Sequence, residues 1–310
     1  MDSAIEVTGL GKRYNDMQVL DDISVSIPTG QIVGMLGHNG AGKTTFLKLA
    51  LGLVRPTAGE MRVLGVPVRA DTQREIHRRV GYLPESVAFY GNLTARETIT
   101  YIAKFKQRPA TEGVMLLRDV GLADAVDRRV HTFSKGMRQR LGLAQALLGS
   151  PDLLLFDEPT GGLDPVAILQ FLHTVHKLRD QGKTIVISSH LLADLEPHLD
   201  RAVVLSHGRI VAQGALADMR NAVDLPVIVR AWVTGEYQAT LSELPFVARV
   251  TSQDGVKGAE IELEAPRSRK LELIRRLVEL PSLVDITVKE PSLPEIYARI
   301  SSDPRPAAGE

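Results

Sequence analysis

The sequence has no cysteine, no net charge and no apolar run long enough to cross a bilayer, and each absence removes a class of protein. Without Cys there can be no disulfide and no thiolate metal site, and the chain fits a reducing compartment. Lys plus Arg number 37 and Asp plus Glu number 37, so there is no electrostatic ground for nucleic acid as the main partner. The apolar runs Leu153–Phe156 and Thr184–Ile187 have strand length, far short of the ~20 residues of a membrane helix. Met1–Leu10 lacks the basic-then-apolar order of a signal peptide. Aromatics are sparse at 5%, while apolar residues make up 44% and charged residues 24%, the balance of an ordinary soluble globular protein.

What is present is a pattern of short strands and helices. Ile5–Leu10, Ile23–Ile27 and Gln31–Leu36 read as strands, and Gly42–Leu51 reads as a helix. The runs at 153–156 and 184–188 are buried parallel strands flanked by helical sequence, so the first part is an α/β domain with a parallel sheet. Near 221–226 the character changes. Strands are expected over Pro226–Thr234, Val247–Ser252, Ala259–Glu264 and Val284–Lys289, with helices over Glu236–Leu244 and Ser268–Leu280. That βαββαβ order predicts a ferredoxin-like α+β unit, with Trp232 in its core and a last helix over Leu293–Ile300. The expected domains are 1–222 and 223–302, followed by a disordered tail over 303–310.

Two motifs carry chemistry. Gly37-His38-Asn39-Gly40-Ala41-Gly42-Lys43-Thr44, followed by Thr45, matches G-x-x-x-x-G-K-[ST] between an apolar strand and a helix. Its glycines let backbone N–H groups turn toward phosphate oxygens, and the helix adds the positive end of its dipole. Lys43 would reach the β- and γ-phosphates of ATP, and Thr44 would offer its hydroxyl to Mg²⁺. The strand Leu153–Phe156 then ends in Asp157-Glu158. Ligands of parallel sheets sit beyond the carboxyl ends of the strands. Asp157 is therefore a Mg²⁺ holder, and Glu158 is the group that polarises an attacking water. His173 and His176 share a helix face but lie beside Lys177 and Arg179, and read as a solvated surface pair.

Further segments resemble the motifs of ABC ATPases, in the order in which that family carries them. Phe133-Ser134-Lys135-Gly136-Met137 is similar to the signature motif, with Lys135 and Met137 departing from the common form. Gly161-Gly162-Leu163-Asp164 resembles the D-loop, Ser188-Ser189-His190 the switch histidine segment, and Tyr14 the aromatic that stacks on adenine. Glu85, in Gly81-Tyr82-Leu83-Pro84-Glu85, stands where many relatives have Gln, and would contact the nucleotide and Mg²⁺. The resemblance covers roughly residues 4–220. It implies a P-loop ABC ATPase domain with a β-rich N-terminal part and a helical subdomain. It also implies a homodimer in which Ser134, Lys135 and Gly136 of one subunit meet the γ-phosphate held by Lys43 of the other. Asp164 would cross the seam, and His190 would contact the γ-phosphate and help to position the water.

The resemblance further implies an integral-membrane permease as partner and a location on the cytoplasmic side of the bacterial inner membrane. Phe89–Lys106, with Tyr90, Leu93 and Ile99, would supply the surface for the permease. Within the family, three stretches look most like the ATPase of the nitrous-oxide reductase maturation system, the NosF type. They are Gly37-His38-Asn39, Tyr82 to Tyr90, and Ser134 to Gly149. That likeness implies a periplasmic partner protein and a role in copper-centre assembly, although the chain shows no copper site of its own. ATPases that export drugs, lipids or polysaccharides share the core motifs. Soluble ABC ATPases acting on ribosomes or DNA form another class, usually with two nucleotide domains. The C-terminal unit has no catalytic constellation and reads as an accessory or dimerisation domain.

Overall fold

The computed structural model describes residues 2–223, 225–234, 249–255 and 258–302. They divide into two compact units, the first ending at Ala215 and the second beginning at Leu216.

In the first unit, β1 (Ser3–Tyr14) and β2 (Met17–Pro28) form an antiparallel hairpin. The turn carries Asn15 at φ 50°, a conformation Asn tolerates. Ile23, Val25 and Ile27 point inward while Ser24 and Ser26 point out, the period of a strand buried on one face. With β4 (Ala58–Val63) and β5 (Val66–Pro67) they make a sheet of order β2-β1-β4-β5.

A second sheet holds β3 (Ile32–Leu36), β6 (Val80–Leu83), β7 (Leu153–Asp157), β8 (Thr184–Ser189), β9 (Arg201–Ser206) and β10 (Arg209–Ala215). Its order is β10-β9-β3-β8-β7-β6. All strands but the antiparallel edge β10 run parallel. Every residue of β3, β7 and β8 is buried, as expected of parallel strands covered on both faces. Helix α1 (Lys43–Ala50) is wedged between the sheets. Its Phe46, Leu47 and Leu49 share one cluster with Ile5, Val25 and Ile27 of the first sheet and Met35, Leu153 and Leu155 of the second. Complete burial of a side chain such as Phe46 contributes about 2 to 3 kcal/mol. That packing fixes the start of α1 against the carboxyl ends of β3 and β7.

Helices α2 (Gln73–Arg79), α3 (Ala95–Phe105), α4 (Ala110–Asp119), α5 (Lys135–Leu147), α6 (Pro165–Asp180) and α7 (Leu192–Leu195) complete this unit. A reciprocal capping box opens α3, with Thr94 Oγ1 accepting from Glu97 N–H and Glu97 accepting from Thr94 N–H. The expectation that Ile99 lies on the surface is corrected. Ala95, Ile99 and Ala103 recur every four residues and are fully buried, and a Cβ on Gly113 of α4 would lie 2.8 Å from Ile99. Tyr101 and Phe105 take the outward face instead, 62% and 85% exposed. Tyr90 is exposed and Leu93 half-buried. No helix among the described residues is long and apolar enough to cross a membrane.

The second unit contains α8 (Leu216–Ala222), β11 (Val227–Val233), β12 (Arg249–Gly255), β13 (Gly258–Ala265), α9 (Lys270–Val278), β14 (Leu283–Lys289) and α10 (Leu293–Ser302). Its sheet is antiparallel in the order β12-β13-β11-β14, the strand arrangement of a ferredoxin-like unit. Val227, Val229, Ala231, Ile261, Leu263, Leu273 and Leu277 form its core. Two expectations change. The helix expected over 268–280 is shorter, α9 being preceded by a 3₁₀ turn over Arg267–Arg269. Trp232 is half-buried and is not a core residue, because the odd-numbered residues of β11 fill the covered face and strand parity turns Trp232 to the other side. The expected helix Glu236–Leu244 and the tail 303–310 lie outside the described residues.

Candidate functional site

β3 delivers the chain into the loop Gly37–Thr44 at the N-terminus of α1. Glycine is required at two positions by space as well as by backbone. At Gly37 (φ 153°) a Cβ would lie 2.3 Å from the Leu205 carbonyl oxygen, and at Gly42 (φ 108°) 2.5 Å from the Leu20 side chain. No side chain caps α1. Its first-turn N–H groups therefore remain available to an anion at the positive end of the helix dipole. His38 Nδ1 hydrogen-bonds the Asn39 carbonyl at 2.7 Å, and its ring lies 5.1 Å from that of His207.

Lys43 is buried under this loop. Its ammonium donates to the carbonyls of Gly37 at 2.7 Å and His38 at 3.2 Å, and pairs with Glu158 Oε1 at 3.3 Å. The other carboxylate oxygen, Glu158 Oε2, accepts from His190 Nδ1 at 2.8 Å. Glu158 itself stands at φ 46°, a left-handed backbone that costs a non-glycine residue roughly 1 to 2 kcal/mol. Its N–H donates to Ser188 Oγ at 2.9 Å. Asp157, 1% exposed, accepts on Oδ1 from Thr44 Oγ1 at 3.1 Å and from Ser188 Oγ at 2.6 Å. The register of β7 and β8 sets Ser188 directly opposite Asp157. A carboxylate and a hydroxyl at a helix start are hard oxygen donors of the kind Mg²⁺ takes, so the residues present fit that ion. When bound, Mg²⁺ would neutralise charge on the phosphates.

Two residues absent from the candidate set join this group. Ser188 entered the sequence analysis only as the start of the histidine segment, and only strand register reveals its bond to Asp157. Tyr82 of β6 is half-buried, and its pairing with Leu155 sets it on the sheet face that carries Asp157. Burial first, then the charge of Asp157 and the hydrogen bond to it, and last the charge of Glu85, push that hydroxyl up to about 12, so it remains a neutral donor at pH 7.

The side chains of the other candidates bond elsewhere. Ser134 caps α5 by accepting from Met137 N–H at 3.2 Å, and Asp164 caps α6 by accepting from Ala167 N–H at 2.9 Å. A Cβ added to Gly162 would meet the Lys135 ammonium at 2.3 Å, and one added to Gly136 would meet Leu163 at 3.7 Å. The signature and D-loop segments are therefore neighbours of each other. The D-loop is tied to the cluster by its backbone, Gly161 N–H donating to the Glu158 carbonyl at 3.2 Å. Tyr14 ends β1, 40% exposed, with the Lys12 ammonium 4.6 Å from its ring centre. Glu85 is exposed just beyond β6. Elsewhere on this unit, a groove of about 900 Å³ is lined by Leu53, Arg74, Arg78, Tyr82, Phe105 and Lys106 among others, and no carboxylate is among its lining residues.

The ABC transporter family model matches residues 20–161. The daunorubicin/doxorubicin resistance ATP-binding protein DrrA of Streptomyces peucetius is 32% identical over 97% of this chain and 93% of that protein. The bacitracin transport ATP-binding protein BcrA of Bacillus licheniformis is 39% identical over 69% of this chain and 70% of that one. The chain belongs to the ABC transporter family. Among solved structures, the dimeric structure of a bacterial ABC transporter cassette superposes with a TM-score of 0.64 at 25% identity, covering 68% of this chain and 98% of that one. This ABC subunit is accordingly an ATP-binding ATPase on a P-loop fold, in a family whose ATPase subunits act with membrane permeases and dimerise.

Proposed function

We propose that this ABC ATPase binds ATP in the Gly37–Thr45 loop, with Mg²⁺ held by Thr44 and Asp157 and approached by Glu85. Glu158 takes a proton from the attacking water, and His190 orients that carboxylate and reaches the γ-phosphate. The observation that carries this reading is the Glu158 carboxylate, bridged between Lys43 at 3.3 Å and His190 at 2.8 Å. A base held between a phosphate-binding cation and an imidazole is oriented before substrate arrives. Tyr14 stacks on the adenine. Ser134, Lys135 and Gly136 of one copy contact the nucleotide of the other, and Asp164 crosses the seam. The exposure of Ser134, Lys135 and Asp164 at the starts of α5 and α6 supports a composite site. The second unit is an accessory domain that helps to hold the dimer. The composite site is tested by mixing Ser134→Arg with Lys43→Ala subunits. Such heterodimers retain one intact site if Ser134 serves the nucleotide of the partner copy and none if it serves its own, so activity regained on mixing is expected and its absence rejects the composite site.

The membrane partner docks in the groove at Arg74, Arg78 and Phe105. Four cations and an exposed aromatic in the groove suit an amphipathic segment that carries carboxylates. The cargo reading is maturation of the copper centres of nitrous-oxide reductase, with a periplasmic partner protein. It is supported by the likeness of the stretches 82–90 and 134–149 to that system's ATPase. A second reading, export of a drug or peptide, is supported by the names of DrrA and BcrA. Purification from native membranes separates them. Co-purification of a permease with a periplasmic copper-handling protein supports the first, and a permease alone favours the second.

A further inference from the structure

Two pairs of histidines lie ring against ring among the described residues. In one pair the ring nitrogens already serve each other, His176 Nε2 and His198 Nδ1 sharing a hydrogen bond at 2.9 Å. The other pair, His38 and His207, has no such bond. Their ring centres stand 5.1 Å apart with the planes tilted by 54°, and among the described residues the His207 ring makes no hydrogen bond. His38 Nδ1 lies 2.7 Å from the Asn39 carbonyl oxygen. A carbonyl only accepts, so Nδ1 carries the proton, and in the neutral ring Nε2 keeps its lone pair. An N–H···O=C bond of this kind is how metal-bound imidazoles are oriented from behind.

Both rings rise from backbone that is held in place. His207 at φ 48° and Gly208 at φ 77° form the two-residue turn between the paired ends Ser206 and Arg209, the left-handed pair that a type I′ hairpin requires. The Gly208 carbonyl accepts from Asp21 N–H of β2 at 2.8 Å. Gly37, next to His38, is packed on β9 so closely that a Cβ would lie 2.3 Å from the Leu205 carbonyl oxygen. Two imidazoles on one tetrahedral ion, each nitrogen about 2.1 Å from it, stand roughly 5 Å apart centre to centre, and these rings have that separation. Imidazole nitrogen suits Zn²⁺ and its neighbours, whereas Mg²⁺ takes oxygen. Both side chains are exposed. No third His, Cys, Asp or Glu completes the set among the described residues, which leaves the other positions of an ion to water.

We propose that His38 and His207 form a site for a divalent transition-metal ion of the Zn²⁺ type, which fastens the phosphate-binding loop to the β9–β10 turn. The site is separate from the oxygen donors of Thr44 and Asp157 and does not depend on their assignment to Mg²⁺. An ion there links the second residue of the loop to a turn anchored on β2, so it acts on the freedom of the loop without touching the phosphates.

The test titrates Zn²⁺ into the full chain without nucleotide, with Mg²⁺ in excess to occupy the oxygen donors, and follows binding by calorimetry. His38→Ala and His207→Ala should each weaken Zn²⁺ binding by at least about tenfold, since even an outer-shell partner of a metal ligand is worth about 10- to 100-fold in affinity. His176→Ala should bind Zn²⁺ as wild type does. The metal-free melting temperature of His207→Ala should match that of wild type, so that lost binding is not lost folding. Zn²⁺ should also slow hydrogen exchange of the amides over residues 37–44 in wild type and leave it unchanged in His207→Ala. A wild-type chain that binds no Zn²⁺, or equal affinity in wild type and both variants, overturns the proposal and leaves a ring contact only. Binding that is lost in His176→Ala but kept in His38→Ala and His207→Ala moves the ion to the α6 pair and overturns it as well. Loss in His38→Ala with full retention in His207→Ala rejects a shared site.

Discussion

Lys43 and Glu158 form an ion pair at 3.3 Å inside the nucleotide cradle, their side chains 6% and 11% exposed. The lysine that must receive the phosphates is thus shared with the base that must activate water. A phosphate entering the loop competes with Glu158 for the same ammonium. Charge held by Glu158 therefore opposes binding slightly while it serves the chemistry.

Glu158→Gln should separate these effects. The amide cannot take a proton, and turnover is expected to fall about 10²- to 10⁴-fold. ATP affinity should hold or tighten, because the competitor for Lys43 has lost its charge. A steady-state ATPase assay paired with equilibrium nucleotide binding checks both, and equal turnover in variant and wild type rejects Glu158 as the base.

Gly37→Ala should damage the fold as well as the site. The new methyl would stand 2.3 Å from the backbone oxygen of Leu205 on β9, which cannot swing away as a side-chain end could. Overpacking of this kind costs roughly 1 to 3 kcal/mol. A lower melting temperature together with lost ATP binding is expected. A variant that melts like wild type would show that β9 yields at this point.

Much of this site was legible from residue spacing. The P-loop pattern and the acidic end of β7 each sit between elements that hydrophobic periodicity identifies, because buried parallel strands are continuous apolar runs. The strands of the second unit were legible from a different signal, the alternation of apolar residues that one covered face imposes. What spacing could not show is lateral. The bond from Ser188 to Asp157 depends on which strands are neighbours, and β7 and β8 are separated by the whole of α6. Tyr82 read as one letter of a family motif until the register of β6 and β7 set it on the face of Asp157. Ile99 was misjudged because α3 is apolar on more than one side, and the close approach of Gly113 decides which side is covered.

The groove makes a prediction independent of catalysis. Arg74 and Arg78 lie one turn apart on α2 and are exposed. Reversing both to Glu should weaken association with a membrane partner that brings carboxylates, with greater effect at low ionic strength, where screening is least. ATP hydrolysis by the isolated chain should not change. Retention of the partner by the double variant would move the docking surface elsewhere.

The start of α10 gives the second unit an acid-sensitive anchor. Burial alone would raise the Glu295 carboxyl. The N–H and hydroxyl of Ser292, both 2.7 Å from Oε2, and the Lys289 ammonium at 2.9 Å from Oε1 outweigh it and hold the group down to about 2. The folded value lies below the ordinary 4.5, so the unfolded chain binds the proton more readily. The stabilisation is therefore complete above about pH 4.5 and is lost as the pH falls toward 2. Glu295→Gln removes the charge but keeps the shape, so hydrogen exchange of the α10 amides should be faster in the variant at pH 7. Because both forms are neutral at strong acid, the difference between variant and wild type should close as the pH approaches 2. A difference that persists at that pH would mean that Glu295 acts through packing, and that the charge-assisted bonds to Ser292 are not what secures the helix.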